Sequence, residues 1–315
     1  MKDFKGFKKG VDLGGWLSQC DYSTERLTKF IVEDDFKKIA SWGVDHVRLP
    51  IDYNIVQNED GTINETGFGY IDHALEMSGK YGLNIVLDLH KTAGWSFDKG
   101  ENEVGFFAKK EYQERFYSLW QEFARRYGNS DKIAFELLNE VTDKEYCAEW
   151  NRIAHECIRL IRSIAPDTVI LVGGYWNNSA AAVKDLDKPY DDKVVYNFHC
   201  YDPIGFTHQG AEWVEDMDPD MRMSYAESGW NSEKFIAAFK EAFDTAQKNG
   251  TALYCGEYGV IDKASNEDIL QWYKDIHAAF EHYGIGRCTW NYKEMDFGLS
   301  DDRLSGIIDE LVQYL

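Results

Sequence analysis

The chain alternates eight short apolar, β-branched runs with longer amphipathic stretches, and this order constrains its fold more than any other feature. The runs cover residues 7–13, 44–50, 84–90, 133–139, 168–174, 194–200, 251–257 and 286–292. Between them lie stretches with helical periodicity, including residues 25–43, 112–128, 148–165 and 232–250. Strands that alternate with helices favour a parallel sheet, and eight pairs over about 300 residues predict an α/β chain folded as a (β/α)8 TIM barrel.

An open, doubly wound sheet is the alternative arrangement of alternating strands and helices. Such sheets usually carry a glycine-rich phosphate loop, and no GxGxxG follows a predicted strand. With only five prolines and no Ser/Gly-rich linker, the sequence predicts one domain over residues 1–315. A long acidic and aromatic segment near 202–231 follows the sixth strand and is expected to shape a substrate cleft.

The charge balance limits the partners of the protein. A net charge of -21 argues against nucleic acid and against an anionic membrane surface as partners, so a neutral or cationic substrate is expected.

The six cysteines form no CxxC pair, which predicts free thiols and no zinc site. Residues 1–10 are basic with no apolar run after them, so no signal peptide is predicted. The protein is expected in the cytoplasm or, the alternative we favour, secreted after removal of its signal.

Polar side chains recur where the predicted strands end. In a barrel of this kind the catalytic groups lie at the carboxyl-terminal mouth, so residues at the same relative place on several strands are expected to meet there. Six strands supply such a group, namely Arg48, His90, Asn139 with Glu140, His199 with Tyr201, Glu257, and Trp290 with Asn291.

The stretch IAFELLNEVT, residues 133–142, holds two of these acids in apolar surroundings. As a helix it would place Glu136 and Glu140 on one face, where they would repel each other mildly. The following TDKEYCAEW is a better helix start, so the strand is predicted over 133–139 and the helix after about 144. Residues of one parity face the barrel interior, which puts Glu136 deep, with Arg48 as a candidate cation, and Glu140 at the rim.

The two glutamates of this stretch cannot form a reacting pair with each other. Four residues of strand span roughly 13 Å, whereas the carboxyl groups of glycosidases lie about 5–5.5 Å apart in retaining enzymes and about 6.5–9.5 Å apart in inverting ones. Glu257, at the end of the seventh run and across the predicted mouth, is the partner that the barrel would bring to Glu140.

The order of these motifs resembles glycoside hydrolase family 5 along nearly the whole chain. The resemblance rests on GVDLGGWL, VDHVRLPIDY, FELLNE, VVYNFHCY, LYCGEYGV and TWNYKEMDFG, and it is nearest to the bacterial endo-β-1,4-glucanase branch. It implies a retaining hydrolase of cellulose-type or mixed-linkage β-glucan, with Glu140 as acid/base and Glu257 as nucleophile. Supporting roles fall to Arg48, His90, Asn139, His199 and Tyr201.

The resemblance also implies how the sugar is held. Trp290 would form the stacking floor for one sugar, and Trp16, Trp95, Trp176 and Trp213 are further candidates for stacking. No cofactor or metal is implied, the partner is a β-glucan polysaccharide or oligosaccharide, and a monomer is expected.

Three positions depart from common family patterns. Val141 follows Glu140 where many members have proline, and Lys91 follows His90 where many have a second histidine. Asp12 stands in GVDLGGW where related glucanases have asparagine, which adds a charge near the mouth.

Several alternatives stay open at the level of sequence. An exo-acting β-1,3-glucanase or a β-mannanase of the same family would carry the same catalytic pair. A zinc-dependent barrel hydrolase would normally show a His-x-His on its first strand, and GVDLGGW has none. A non-catalytic sugar-binding barrel would be expected to lack one of the two glutamates, and both are present.

Overall fold

Eight parallel strands close into a barrel in which each strand pairs with the next and the last pairs with the first. The computed structural model describes residues 1–98 and 103–315. The strands are β1 (Lys9–Asp12), β2 (His46–Asp52), β3 (Asn84–Lys91), β4 (Ile133–Glu136), β5 (Val169–Gly173), β6 (Val194–Cys200), β7 (Leu253–Tyr258) and β8 (Gly286–Thr289). The predicted (β/α)8 barrel is therefore confirmed.

Helices connect the strands and cover the outside of the barrel. The α-helices are Thr24–Lys29, Glu33–Ser41, Tyr53–Val56, Glu65–Lys80, Lys110–Tyr127, Cys147–Arg162, Ile204–Thr207, Tyr225–Ser228, Ser232–Asn249, Asn266–Tyr283 and Ile308–Leu311. Tyr175–Asn178 forms a short turn in which the backbone of Trp176 and Asn177 is left-handed. Shorter 3-10 turns cover Lys144–Tyr146, Ala180–Asp185, Asp302–Leu304 and Val312–Tyr314. Within the described ranges, none of the helices combines the length and apolarity that crossing a membrane requires.

The helix predicted over residues 25–43 is in fact two helices. The backbone of Val32 is extended, with φ −127°, and its N–H donates to the side chain of Asp35 at 2.8 Å. Glu33, Asp34 and Asp35 lie in the first turn of the second helix, where carboxylates stabilise a helix start. The run of acids therefore begins a new helix, although the apolar periodicity continues across the break.

The barrel interior changes from apolar to polar along the strands. Near the amino-terminal end, Phe4 and Phe7 stack at 4.3 Å and close the barrel over a cluster that includes Val86, Ala134, Leu171, Val195 and Cys288. Side chains two residues apart on a strand point to the same face, so the next interior residue after Val86 is Asp88, after Ala134 it is Glu136, and after Val195 it is Asn197. The polar side chains are thus gathered towards the carboxyl-terminal mouth.

A bulge in β7 determines where its glutamate points. Phe198 pairs with Cys255 and His199 pairs with Glu257, so Gly256 is an extra residue in β7. Strict alternation from the interior residue Tyr254 would turn Glu257 away from the barrel, and the extra residue reverses this. Gly256 is required at this point, because a Cβ there would lie 2.9 Å from the side-chain oxygen of Asn197.

The segment after β6 is folded against the barrel mouth. It contains the helices Ile204–Thr207 and Tyr225–Ser228, and the Gln209 side chain joins its two halves through the backbone of Phe206 and Met223. The indole nitrogen of Trp272 donates to the carbonyl of Asp202 at 2.9 Å and fastens the start of the segment to the outer helices. Its role in substrate binding, like the assignment of residues 1–315 to one domain, stays a prediction.

Candidate active site

Arg48 lies fully buried at the centre of the polar end of the barrel. Its Nε and Nη2 donate to the two carboxylate oxygens of Glu136 at 2.7 and 2.8 Å, so the predicted partnership of these residues is present. Nη1 donates both to Asp12 at 2.9 Å and to Glu257 at 2.8 Å. Nη2 also lies 3.0 Å from Asp88. One guanidinium therefore serves four buried carboxyl groups.

Arg48 does not offset the cost of burial equally for the four carboxyl groups. Burial raises the pKa of Asp12 well above its usual range and that of Asp88 to about 7, although Arg48 opposes both shifts. Burial likewise raises the pKa of Glu136. One oxygen of Asp12 and one of Asp88 have no hydrogen-bond partner. Burial therefore favours the protonated over the ionised form in Asp12, Asp88 and Glu136.

Glu257 is the exception in this cluster. One of its oxygens accepts from Arg48, the other accepts from the Tyr201 hydroxyl at 2.8 Å, and the imidazole of His199 lies 3.6 Å away. Burial alone would raise its pKa, but the positive charges of His199 and Arg48 outweigh burial and lower the pKa of Glu257 to about 2. Glu257 is therefore a carboxylate throughout the physiological pH range.

Glu140 faces Glu257 from the other side of the mouth. One of its oxygens lies 2.9 Å from His199 Nδ1, and the other accepts from the Asn177 amide at 2.7 Å. Ligand atoms of Glu140, His199 and Glu257 all lie within 4.8 Å of one another. This spacing of the two carboxyl groups is close to that of retaining glycosidases and shorter than that of inverting ones.

Both Asn139 and Glu140 reach the site because β4 ends earlier than predicted. Its ladder stops at Glu136 instead of residue 139, and the following chain continues by single bonds from Leu137 N to Leu171 O and from Asn139 N to Leu89 O, each 3.2 Å. The alternation of faces that was expected to continue to Glu140 therefore stops. Asn139 accepts from Arg48 Nη2 at 2.8 Å, and the predicted helix after about 144 begins with the 3-10 turn at Lys144.

His90 and Trp290 form one wall of the cleft. His90 Nδ1 lies 2.6 Å from Asp88 Oδ2 and its Nε2 lies 3.2 Å from the side-chain oxygen of Gln19. Burial lowers the pKa of His90 to about 4, so it is neutral at pH 7. The Trp290 ring is parallel to His90 with centroids 5.8 Å apart. Gly14 permits this position, because a Cβ there would lie 2.4 Å from the indole.

The other tryptophans divide into two groups, and one prediction needs correction. Trp16 is 1% exposed and donates to the carbonyl of Leu27, so it belongs to the core instead of a sugar-stacking surface. Trp95 is buried and donates to the backbone oxygen of Glu140 at 3.0 Å, so it supports the chain at that glutamate, and its role in stacking on sugar stays a prediction. Trp213 and Trp176, by contrast, are 51% and 54% exposed.

The departures from the family pattern also have defined positions. Asp12 joins the Arg48 cluster, as described above. Lys91 is buried and pairs with Asp98 at 2.7 Å, next to His90. The carbonyl of Val141 accepts from the backbone of Asn177 at 3.0 Å, an arrangement in which the residue after Glu140 is tied to the loop that follows β5.

Sequence reasoning did not identify Asp88 or Asn177. Asp88 could have been found, because it stands two residues before His90 on β3 and therefore shares its face. Asn177 lies 37 residues after Glu140, in the loop that follows β5, and no local pattern connects the two.

The ligand atoms of Glu140, His199 and Glu257 are close enough to hold a metal ion. However, Glu140 and His199 already contact each other at 2.9 Å, and Glu257 is paired with Arg48.

Comparisons with known proteins agree with this geometry. The family model "Cellulase (glycosyl hydrolase family 5)" matches residues 10–296. Cellodextrinase A of Ruminococcus flavefaciens is 58% identical over 288 residues, covering 91% of this chain and 86% of that protein. Endoglucanase C of Acetivibrio thermocellus is 37% identical over 337 aligned positions, covering 98% of each.

A solved structure extends the likeness to three dimensions. Thermotoga maritima Cel5A in complex with cellobiose superposes with a TM-score of 0.83 at 25% sequence identity, and the match covers 98% of both chains. The family match spans both glutamate-bearing strands and nearly all of the barrel. The chain therefore belongs to glycosyl hydrolase family 5, the cellulase family.

Proposed function

We propose that this enzyme hydrolyses β-1,4-glucosidic bonds in cellulose-type or mixed-linkage β-glucan, as a retaining hydrolase that acts by double displacement. One observation carries the proposal: Glu140, four residues after the end of β4, and Glu257, on β7, have carboxyl oxygens within 4.8 Å of each other but different partners. Glu257 is held as a carboxylate by Arg48 and Tyr201, whereas Glu140 contacts His199 and an amide. A retaining mechanism needs one nucleophile and one proton donor at this separation.

In the first step Glu257 attacks the anomeric carbon and Glu140 protonates the departing glycosidic oxygen. The bond from carbon to the Glu257 oxygen forms as the bond to the leaving group breaks, and the proton of Glu140 moves to that leaving oxygen. The ion pair with Arg48 keeps the Glu257 carboxylate, which supplies the attacking oxygen, in its ionised form.

In the second step Glu140 acts as a base. It removes a proton from water as the water oxygen bonds to the anomeric carbon, and the ester bond to Glu257 breaks. His199 lies close to both glutamates, so its imidazole interacts with the negative charge of whichever glutamate is ionised in each step. Its pKa, which burial would lower, is raised by Glu257 and Glu140.

The surrounding residues provide positions for the sugars. Asn139 has its side-chain oxygen engaged by Arg48, so it would donate its amide to the sugar 2-hydroxyl. Trp290 and His90 would form the wall beside the sugar that reacts. The exposed rings of Trp176 and Trp213 are suited to stack on sugars of the leaving group, since Trp176 is the neighbour of Asn177, which touches Glu140.

Matched azide rescue of the two glutamate variants tests the assignment of roles. Glu257→Ala should lose hydrolysis while keeping its fold by circular dichroism, and azide should restore turnover of an aryl cellobioside with an inverted glycosyl azide. Glu140→Ala should lose roughly 10²- to 10⁴-fold on oligosaccharides, and azide should give a product of retained configuration. Near-parental turnover by Glu257→Ala, or products of the opposite configurations, would refute the assignment.

A substrate panel decides between the alternatives within the family. Carboxymethylcellulose, mixed-linkage β-glucan, β-1,3-glucan, mannan and soluble cello-oligosaccharides should be compared by kcat/KM, with product lengths recorded over time. The highest values are expected on β-1,4-linked glucose. A preference for β-1,3-glucan with release of single glucose units, or for mannan, would replace the proposed substrate by one of its alternatives.

A further inference from the structure

Three consecutive residues after β5 adopt a left-handed backbone without the help of glycine. The φ angles of Trp176, Asn177 and Asn178 are 52°, 52° and 58°. Side chains with a Cβ are disfavoured in this region, although asparagine tolerates it better than most residues. A run of three such residues persists only where its surroundings fix it, and backbone of this kind is concentrated at functional sites.

The surroundings that fix this turn are the residues that carry the site. The backbone N–H groups of Trp176 and Asn177 donate to the carbonyls of Thr142 and Val141, both at 3.0 Å. Asn178 is buried and its amide donates to the carbonyl of Asn139 at 3.4 Å. The turn is therefore fastened along the irregular chain that leaves β4, on both sides of Glu140.

Two glycines make room for the turn. Asn178 accepts from the backbone N–H of Gly174 at 3.0 Å, and a Cβ on Gly173 would lie only 2.1 Å from that same side-chain oxygen. The sequence GGYWNN thus encodes a compact left-handed turn whose geometry depends on contacts with residues 139–142.

The middle residue of the turn aims its side chain at the proton donor. Asn177 donates its amide to Glu140 Oε2 at 2.7 Å, while Oε1 of the same carboxyl group lies 2.9 Å from His199. We propose that Asn177 is a positioning residue that fixes the Glu140 carboxyl plane and stabilises its ionised form. The proposal rests on the acid/base role given to Glu140 above.

The chemical consequence is a balance between the two steps of the reaction. A hydrogen bond donated to a carboxylate favours its ionised form. That effect lowers the fraction of Glu140 that holds a proton for the leaving group in the first step. It raises the fraction that is ionised and can accept a proton from water in the second step. The titratable groups around Glu140 are His199 on β6, Glu257 on β7 and the nearby Tyr201, and Lys144 lies 5.8 Å over the Trp176 ring. A change confined to Asn177 leaves all four in place.

Two variants of Asn177 separate the hydrogen bond from the backbone strain. Asn177→Gly keeps the left-handed conformation accessible and deletes the amide. Asn177→Asp keeps the shape and places a carboxylate beside Glu140. Asn129→Gly is the control, because Asn129 is an exposed asparagine between the helix Lys110–Tyr127 and β4, at the end of the barrel opposite the mouth.

The readout is the pH dependence of kcat/KM on cellotetraose, whose leaving group needs a proton. For Asn177→Gly we expect the basic limb to move to higher pH by at least about half a unit, and for Asn177→Asp further still. On dinitrophenyl cellobioside, whose leaving group needs no proton, the acid limb of kcat should move to higher pH, because a smaller fraction of Glu140 is then ionised to act as base in the second step. The control should leave both profiles unchanged.

Two outcomes would overturn the proposal. The first is a lower rate with an unmoved basic limb in both Asn177 variants, which indicates a merely structural turn. The second is a further loss when Asn177→Gly is added to Glu140→Ala, because a residue acting through Glu140 has nothing left to position. If Glu140→Ala itself keeps its activity on cellotetraose, the proposed function fails independently of Asn177.

Discussion

Two arginines are fully buried in this barrel, and they are used in different ways. Arg48 lies on β2 at the polar end of the interior and contacts Asp12, Asp88, Glu136 and Glu257. Arg287 lies on β8 and faces the outer helices and the end of the chain. It contacts one carboxylate, Glu281, together with a backbone oxygen of Leu315 and the imidazole of His277.

The difference lies in the charge balance around each guanidinium. Arg287 pairs with one carboxylate, that of Glu281, whose side chain is 44% exposed, so solvent solvates the carboxylate and backbone oxygens accept further hydrogen bonds from the guanidinium. Arg48 has four acidic partners with almost no access to water, and three of them have raised pKa values because of burial. The unequal distribution leaves Glu257 as the one group whose pKa is lowered.

An imbalance of this kind is unfavourable for folding and useful for catalysis. Buried carboxyl groups around one cation compete for it, and the group that wins is kept ionised at the point where a nucleophile is needed. Around Arg287 the residues of the two described ranges place one side-chain carboxylate, that of Glu281, and the contacts of Arg287 join the helix Asn266–Tyr283 and Leu315 to the barrel. The comparison predicts that changes at the mouth alter the reaction and changes at β8 alter the stability.

Replacing Arg48 by lysine should have the largest effect on activity. Lysine keeps the positive charge but cannot bind Glu136 with two parallel bonds and bridge Asp12 to Glu257 at once. Misplacement of the nucleophile by about 1 Å is expected to reduce kcat/KM on cellotetraose by roughly 10²-fold. Activity within twofold of the parent would mean that a positive charge is enough to keep Glu257 ionised and in position, and that the shape of the guanidinium is not required.

Tyr201→Phe should have a smaller effect of the same kind. It removes one of the hydrogen bonds that lower the pKa of Glu257 and leaves Arg48 in place. A hydrogen bond to a charged group contributes about 1.5–3 kcal/mol, so we expect at least a tenfold fall in kcat/KM. The acid limb of the pH profile should move upward, since Glu257 would gain its proton at higher pH. An unchanged acid limb would argue that the hydroxyl does not support the carboxylate.

Asp12→Asn tests whether the carboxyl at this position holds a proton. Because burial raises its pKa well above the usual range, Asp12 contributes stability that is complete at low pH and is lost as the pH rises through its raised pKa. The variant should keep its activity, because Arg48 and Tyr201 still contact Glu257. Its stability should decline less steeply than that of the parent as the pH rises above the usual aspartate range, by up to about 1.4 kcal/mol for each pH unit. Urea unfolding from pH 5 to 9 measures this. Parallel curves for parent and variant would show that Asp12 is ionised.

Arg287→Lys should change activity least. Lysine can replace the contact with Glu281 but not those with Leu315 and His277, so we expect a loss of about 1–3 kcal/mol in the free energy of unfolding. The kcat/KM on cellotetraose should stay within twofold of the parent at temperatures below the transition. This variant is the matched control for Arg48→Lys, and a comparable loss of activity in both would remove the distinction drawn between the two arginines.

The sequence alone predicted the architecture and the residues that meet at the barrel mouth. Strand and helix periodicities are local, so eight alternations were enough to predict the barrel, and the strand ends placed Glu140, Glu257 and Arg48 at one mouth. The pairing of Arg48 with Glu136 followed from burial, because a buried carboxylate needs a cation.

Only the tertiary structure decided the features that depend on register and on contacts between distant residues. The bulge at Gly256 turns Glu257 inward against simple alternation. Trp16 was predicted to stack on sugar but is enclosed by the first helices. Asn177 reaches Glu140 from another loop through a left-handed turn. No local pattern encodes these contacts, because each requires that two segments far apart in the chain be packed at a defined distance.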